Sequence, residues 1–447
     1  MKLFGTAGIR GVTNRDIDPH KALKLAMAYG TVIRGKIAVA RDTRYGAEMI
    51  ENSVISGLQA VGSQVISLGI VPLPLFARFV ADHCDGGIMI TGSHTPPQII
   101  GLIMVDSLGR DLYWDKSEEI EKIYKDEDFK LSPWDRINDT LSDDAFENYI
   151  RFIEKKAKGI GGYRIVVDPA NGAGARIIDR ILQILGVEVY CINCERKKIP
   201  NRPSEPRKET LEKLRMLSEK FDLGAGTDMD ADRVVFSSRG NIICEDVIGA
   251  IFAERFAKDK VVTPINSSLL IEKVARKKGF EVIYSRVGPP EIAEMLLKTG
   301  ASFGYEETGK YIFPPETLWG DSILSIVYIL KIMNSEGRDL YQIAHDYPKF
   351  HQIKEKLPVR REIKRAVVEK IGEYLEKNIP EEAKRIIRVD GVKLLYEDAW
   401  LLIRASGTED VIRVFSEAKD EKTVSQLAEY GKNLVKKFIF SSSLLRG

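Results

Sequence analysis

Three times along this chain a short apolar strand runs into a small polar loop and then a helix-length stretch, and no other feature narrows the fold as much. The cadence opens with Lys36-Ile37-Ala38-Val39-Ala40. It restarts at Arg164-Ile165-Val166-Val167-Asp168, ahead of Asn171-Gly172-Ala173-Gly174, and again at Lys260-Val261-Val262-Thr263-Pro264, ahead of Asn266-Ser267-Ser268. Strands alternating with helices of ten or more residues build α/β layers. In the first unit the pattern predicts helices over residues 19–34 and 47–61, a strand over 64–70, and a further helix after Pro72 and Pro74. Three such units in tandem make a coarse repeat of whole domains. Seams fit around Ser142 and near Tyr347-Pro348-Lys349-Phe350. Past the second seam the pattern changes to a long amphipathic helix over 361–377 and short strands over 393–396 and 400–404, a smaller α+β domain.

Charge excludes some partners. With Lys+Arg 67 against Asp+Glu 65 the net charge is +2, so no global field recruits nucleic acid or an anionic membrane, and phosphate recognition has to be local. No stretch approaches a membrane span and the start has no signal-like apolar core, so the expectation is a soluble cytoplasmic protein. Four cysteines in 447 residues are no disulfide framework, and Cys191-x-x-Cys194 lacks the second pair a zinc site needs. Thiols in strands or loops are expected.

Four loops carry chemistry. In Ile88-Met89-Ile90-Thr91-Gly92-Ser93-His94-Thr95-Pro96-Pro97 a buried strand breaks into a stiff polar turn that presents Ser93, a candidate nucleophile. Gly226-Thr227-Asp228-Met229-Asp230-Ala231-Asp232-Arg233 places carboxylates at every second position, which repel unless a cation joins them. Three hard oxygen donors suit Mg²⁺. A calcium EF-hand is excluded, because Arg233 and Arg239 stand where it needs glycine and glutamate. Gly304-Tyr305-Glu306-Glu307-Thr308-Gly309-Lys310-Tyr311 nearly spells a nucleotide P-loop, but Tyr311 replaces the magnesium-binding hydroxyl and two glutamates would face the phosphates. Its carboxylates and hydroxyl instead suit adjacent sugar hydroxyls, with the Lys310 cation in reach of a phosphate. Arg404-Ala405-Ser406-Gly407-Thr408-Glu409-Asp410, followed by Arg413, has the guanidinium, hydroxyls and free amides of a dianion cradle. The glycine-rich start, Phe4-Gly5-Thr6-Ala7-Gly8-Ile9-Arg10-Gly11, adds Arg10 as a fixed charge, and Arg233 can pair with a phosphoryl group.

Together, in this order and spacing, the loops resemble the α-D-phosphohexomutase superfamily. The likeness extends to Arg41-Asp42-Thr43-Arg44, Asp168-Pro169-Ala170-Asn171-Gly172-Ala173-Gly174 and Arg286-Val287-Gly288. It implies three tandem related α/β domains with mixed sheets, over residues 1–141, 142–243 and 244–349, and a smaller C-terminal α+β domain over 350–447, around a central cleft. It also implies that Ser93 carries a phosphoryl group, with Arg10 and His94 beside it, and that Asp228, Asp230 and Asp232 hold one Mg²⁺ against it. Glu306 and Thr308 would grip sugar hydroxyls. Arg404, Ser406, Gly407 and Thr408 would hold the non-reacting phosphate, with Arg233, Arg286 and Arg413 also facing substrate. The implied reaction interconverts hexose 1- and 6-phosphates of glucose or mannose through a bisphosphorylated sugar, with glucosamine or pentose phosphates as alternatives. Monomer and homodimer both stay open.

Departures from the pattern matter. The usual Ser-His-Asn-Pro reads Thr95 at its third place, and a lysine usually suspected of acid/base duty is replaced in Ile100-Gly101-Leu102-Ile103. Lys310 is the expected substitute cation. Tyr305, Thr308, Met229 and Asp410 are further changes. They keep two other classes in view, a silent sugar-phosphate sensor and a metal-dependent phosphatase. A sensor has no need of a metal poised at a serine.

Overall fold

The computed structural model describes residues 3–5, 8–407 and 409–443. Its first sheet has the order Ile9–Val12, Ile99–Asp106, Gly86–Ile90, Lys36–Arg41, Gln64–Ile70, Leu141–Ser142. Gly86–Ile90 runs parallel to Lys36–Arg41 and antiparallel to Ile99–Asp106, so the sheet is mixed. Helices cover both faces. A Cβ on Gly86 would run into Tyr29 of helix Pro19–Val32, and one on Gly87 into Phe76 and Val80 of helix Leu73–His83. Two glycines thus let both layers close on the strand that feeds Ser93. The first helix starts where its caps dictate, with the Asp18 carboxylate accepting from Lys21 N at 2.8 Å and proline in its first turn.

The same core recurs twice. Glu188–Cys191, Arg164–Asp168, Leu223–Thr227 and Val234–Ser238 are neighbours in that order, the first three parallel and the last antiparallel. Glu281–Ser285, Lys260–Pro264, Phe303–Glu306 and Lys310–Ile312 repeat the arrangement. Gln64–Ile70, Lys36–Arg41, Gly86–Ile90 and Ile99–Asp106 are its counterpart in the first sheet. In each case the connection from the third to the fourth strand is a chemically loaded loop: Ser93, then Asp228 to Asp232, then Glu307 to Gly309. The repeat that is faint in sequence is plain in topology, and it puts three functional loops at equivalent positions.

The C-terminal domain is a five-stranded antiparallel sheet, ordered His351–Pro358, Val411–Ala418, Ala399–Ala405, Val392–Leu395, Arg385–Ile387. Alternation along its central strand decides both contacts. Leu401 and Ile403 pack with Val367, Ile371 and Leu434 of the helices Arg361–Lys377 and Glu421–Ser443. Trp400 and Leu402 face the other way and join the core shared with the third α/β unit. Lys393 crosses that seam, fully buried, donating to the carbonyls of Ile265 and Ser267 at 2.8 and 3.1 Å, between the rings of Tyr284 and Trp400.

The expectation for Cys191 and Cys194 is corrected: they are bonded to each other, with Cα atoms 5.8 Å apart. Asn193, between them in the left-handed conformation at φ 56°, turns the chain back on itself. Composition argued against a framework of many bridges, and a single local turn lies outside that argument. Among the described residues no helix is long and apolar enough to cross a membrane.

Candidate active site

Ser93 sits at the mouth of a strand buried along its whole length, in the left-handed conformation at φ 51°. A non-glycine residue in that conformation needs support, and the loop supplies it. Asp42 and Arg44, both with fully buried side chains, pair at 2.6 Å. Asp42 accepts from Gly92 N at 3.2 Å, while Arg44 donates to the carbonyl of Ser93 at 3.0 Å, that of Pro96 at 3.3 Å and that of Ile99. A Cβ at Gly92 would overlap the Arg44 guanidinium, so glycine is obligatory there. Thr91 Oγ1 accepts from Ser93 N at 2.8 Å and lies within 3.0 Å of carboxylate oxygens of both Asp42 and Asp230. The serine loop and the triple-aspartate loop are therefore locked together through Thr91, across 139 residues of sequence.

The Ser93 hydroxyl donates to Asp228 Oδ2 at 2.9 Å. Asp228, Asp230 and Asp232 are buried, and each offers an oxygen within 4.8 Å of the others. At that spacing two carboxylates repel by about 3 kcal/mol even at an effective dielectric near 20, so the cluster calls for cations. Each aspartate is oriented by donors. Thr91 faces one oxygen of Asp230, and Lys310 at 2.6 Å and Trp319 Nε1 at 3.0 Å take Asp232 Oδ2. Asp230 Oδ1 and Asp232 Oδ1 are left buried without a hydrogen-bond partner among the described residues. Buried polar atoms are seldom left so. Three carboxylates, two of them with an oxygen that accepts no hydrogen bond, beside a serine oxygen are a hard-oxygen donor set that fits Mg²⁺.

Electrostatics follow from burial and neighbours. Burial, reinforced by Asp230 and Asp232, pushes Asp228 well above the ordinary carboxylate range. Burial and then Asp232 push Asp230 up to about 6. Burial acts on Asp232 too, but Lys310 and Arg233 outweigh it and hold that group at about 2. Burial and then the cations Arg233, Arg10 and Lys310 drive His94 down to about 2, so its imidazole is neutral, with Nδ1 3.3 Å from Ser93 Oγ. Arg10, on the strand Ile9–Val12 opposite Gly101, has a buried Nε without a hydrogen-bond partner among the described residues, as does Arg233, whose Nε lies 3.8 Å from Asp228 and 3.9 Å from Asp232 as an ion pair. Arg233 also reaches Glu205 at 3.3 Å. Guanidinium donors that make no hydrogen bond, beside carboxylates, are what a phosphoryl group would complete.

The sugar loop lies against this centre through Lys310, which is an ion-pair partner of Asp232 rather than a free cation. Glu306 is buried and pushed up by that burial, with Thr308 donating to it at 3.4 Å. Glu307 faces the other way, accepting from Asn266 at 2.6 Å and pairing with Lys354 of the C-terminal domain at 2.7 Å. In the cradle, Arg404 pairs with Asp390 at 2.7 Å, and Asp390 also accepts from Val287 N at 3.3 Å. Arg413 pairs with Glu409 at 2.8 Å. Both arginines keep a buried Nε without a partner among the described residues. Ser406 is buried and accepts from Glu409 N at 3.1 Å, Gly407 is exposed, and Thr408 lies outside the described residues. Arg286 is exposed, and its neighbour Val287 contacts the cradle through its backbone N–H.

Sequence reasoning quoted Asp42, Arg44 and Thr91 only as part of longer runs and missed their bracing role. The opposite charges of Arg41-Asp42-Thr43-Arg44 directly after a buried strand were a usable signal. Trp319 and Asp111, which share a wall with Glu306 and Lys310, carried none.

The phosphoglucomutase/phosphomannomutase family models match in order: alpha/beta/alpha domain I over residues 1–131, domain II over 145–240, domain III over 245–350 and the C-terminal domain over 359–431. A phosphoglucomutase/phosphomannomutase of Thermococcus kodakarensis is 34% identical, covering 97% of this chain and 98% of its own. A phosphoglucosamine/phosphogalactosamine mutase of Sulfurisphaera tokodaii is 32% identical over 97% and 99%. The crystal structure of a phosphoglucomutase/phosphomannomutase family protein from Burkholderia thailandensis superposes with a TM-score of 0.88 at 23% identity, covering 98% of this chain and 97% of that one.

Proposed function

The chain belongs to the phosphoglucomutase/phosphomannomutase family of mutases, and from that premise we propose that it interconverts hexose 1-phosphate and hexose 6-phosphate through a phosphorylated Ser93. The observation that carries the reading is the Ser93 hydroxyl bonded to Asp228 inside a buried aspartate triad flanked by Arg10 and Arg233, each with a buried Nε that makes no hydrogen bond among the described residues. Asp228, Asp230 and Asp232 would hold Mg²⁺, which supplies positive charge at the phosphoryl oxygens. Arg10 and Arg233 would donate to the same oxygens, and Glu306 and Thr308 would accept from adjacent sugar hydroxyls. Arg404, Arg413 and Ser406 would bind the distant phosphate, fixing the reacting hydroxyl in line with the Ser93 phosphoryl group. Transfer to that hydroxyl gives a bisphosphorylated sugar. Return of its other phosphate to Ser93 completes the exchange.

Glucose and mannose phosphates are the first reading. Glucosamine phosphate is the second, and the name of the Sulfurisphaera relative supports it. Isomerisation measured with Mg²⁺ across glucose, mannose, glucosamine and pentose 1-phosphates decides between them. Turnover of one hexose class, lost in Ser93→Ala, is expected. Release of inorganic phosphate without isomerisation would make the protein a phosphatase and end this reading.

A further inference from the structure

Transfer of a phosphoryl group to a hydroxyl needs a group that takes a proton and later returns it. The position where related proteins place a lysine is Ile103, fully within the apolar core. His94 lies against Ser93 itself, its Nδ1 3.3 Å from Oγ, and Lys310 is committed to Asp232 at 2.6 Å. Asp111 is a further ionisable side chain that meets this region.

Asp111 follows the strand Ile99–Asp106 and is 4% exposed, fixed by a bridge to Val105. Its Oδ2 has no hydrogen-bond partner among the described residues. It lines a cavity of about 10 Å³ together with Glu306, Lys310, Trp319 and Gly320. That is room for about one water, with Asp111, Glu306 and Lys310 as its polar partners in a wall otherwise lined by Pro289, Ile292 and Leu318. A buried carboxyl oxygen that makes no hydrogen bond is uncommon in a packed interior and calls for a partner.

On the mutase reading above, we propose that Asp111 exchanges the proton of the reacting sugar hydroxyl, reaching it through one water in the cavity it shares with Glu306 and Lys310. In the first half-reaction the sugar oxygen forms its bond to phosphorus as the bond from phosphorus to Ser93 Oγ breaks. The hydroxyl proton passes by way of the water to the Asp111 carboxylate, and Ser93 Oγ keeps the electron pair of the broken bond and takes a proton from solvent. The second half runs the exchange backward: Ser93 Oγ returns its proton to solvent and bonds to the phosphorus of the other phosphate as the bond from that phosphorus to the sugar oxygen breaks, and Asp111, by way of the water, protonates the departing sugar oxygen. A group serving as base and then as acid works best when it titrates near the working pH. Burial first, and then the charges around Asp111, set it there. Burial pushes it up to about 8, Lys310 and Arg10 pull against that, and Asp232 and Glu306 add to it. Arg110, next in sequence, is occupied with Asp106 and Glu294.

The test uses full-length protein with Mg²⁺ and the hexose phosphate it turns over best, comparing wild type, Asp111→Asn and Asp111→Glu between pH 6 and pH 9. Wild-type turnover is expected to peak within about one unit of pH 8 and to fall on both sides, since the two halves need opposite protonation states. Asp111→Asn should lower kcat by about 10²- to 10³-fold and flatten that profile, with KM changed less than about two-fold, and Asp111→Glu should restore part of the rate. A variant that keeps the wild-type rate, or loses rate but keeps the bell, overturns the proposal. So does a wild type with no titration in that range, a result that holds even if the variants fold poorly. A wild type that isomerises no sugar phosphate defeats the mutase reading itself, and this inference with it.

Discussion

The reaction centre and the phosphate cradle both gather arginines and carboxylates, but they are prepared differently. At the centre Asp230 and Asp232 each keep a buried carboxylate oxygen that accepts no hydrogen bond, an acid-rich arrangement that suits an arriving cation. In the cradle Arg404 and Arg413 are already paired with Asp390 and Glu409, and Glu409 is 42% exposed on its side chain. Binding a phosphate there means exchanging one anion for another. On the proposed cycle the contrast has a use: the centre would stay fixed while the cradle would release and recapture one sugar in two orientations.

The comparison breaks hardest where the centre is braced. Arg44→Met removes one partner of a wholly buried pair and strands Asp42. A loss of about 3–5 kcal/mol of stability is expected, read as a lower Tm, because an uncompensated buried charge costs that much. An unchanged Tm would mean that the serine loop is held by something else. Asp230→Asn comes next. It should weaken Mg²⁺ binding by about 100-fold, or about 2.7 kcal/mol, in a calorimetric titration with folding intact. In the wild type the same titration should show affinity rising with pH through about 6, because protons held by Asp228 and Asp230 must leave before the ion binds. The smallest effect sharpens the contrast from the other side. Glu409→Gln frees Arg413 from its resident acid, so KM for the sugar phosphate should fall two- to three-fold at constant kcat, about the scale of one exposed pair. A rise in KM would show that Glu409 orients the cradle instead of competing for it.

Much of this was legible in the sequence because it is local. The strand over residues 64–70, the helix over 361–377 and the four loops each declare themselves within ten or so residues through periodicity, glycine placement and charge spacing. Contacts between loops did not. Ser93 meets Asp228 across 135 residues and Lys310 reaches Asp232 between two domains, and nothing in a linear pattern says which lysine will neutralise which aspartate. Lys310 was read as a spare cation for that reason. Asp111 was invisible for a related one, since a lone acid after Gly109-Arg110 looks like any loop residue until burial removes its water. The shared topology of the three α/β units was legible only as a cadence, because strand order survives changes of sequence that erase identity between repeats.

The central claim is that Ser93 carries the phosphoryl group. Intact mass of wild type and Ser93→Ala, before and after incubation with a bisphosphorylated hexose and Mg²⁺, tests it most directly. One phosphoryl adduct on the wild type and none on the variant is the predicted result. An adduct that survives in Ser93→Ala, or sugar isomerisation by that variant at the wild-type rate, would contradict it.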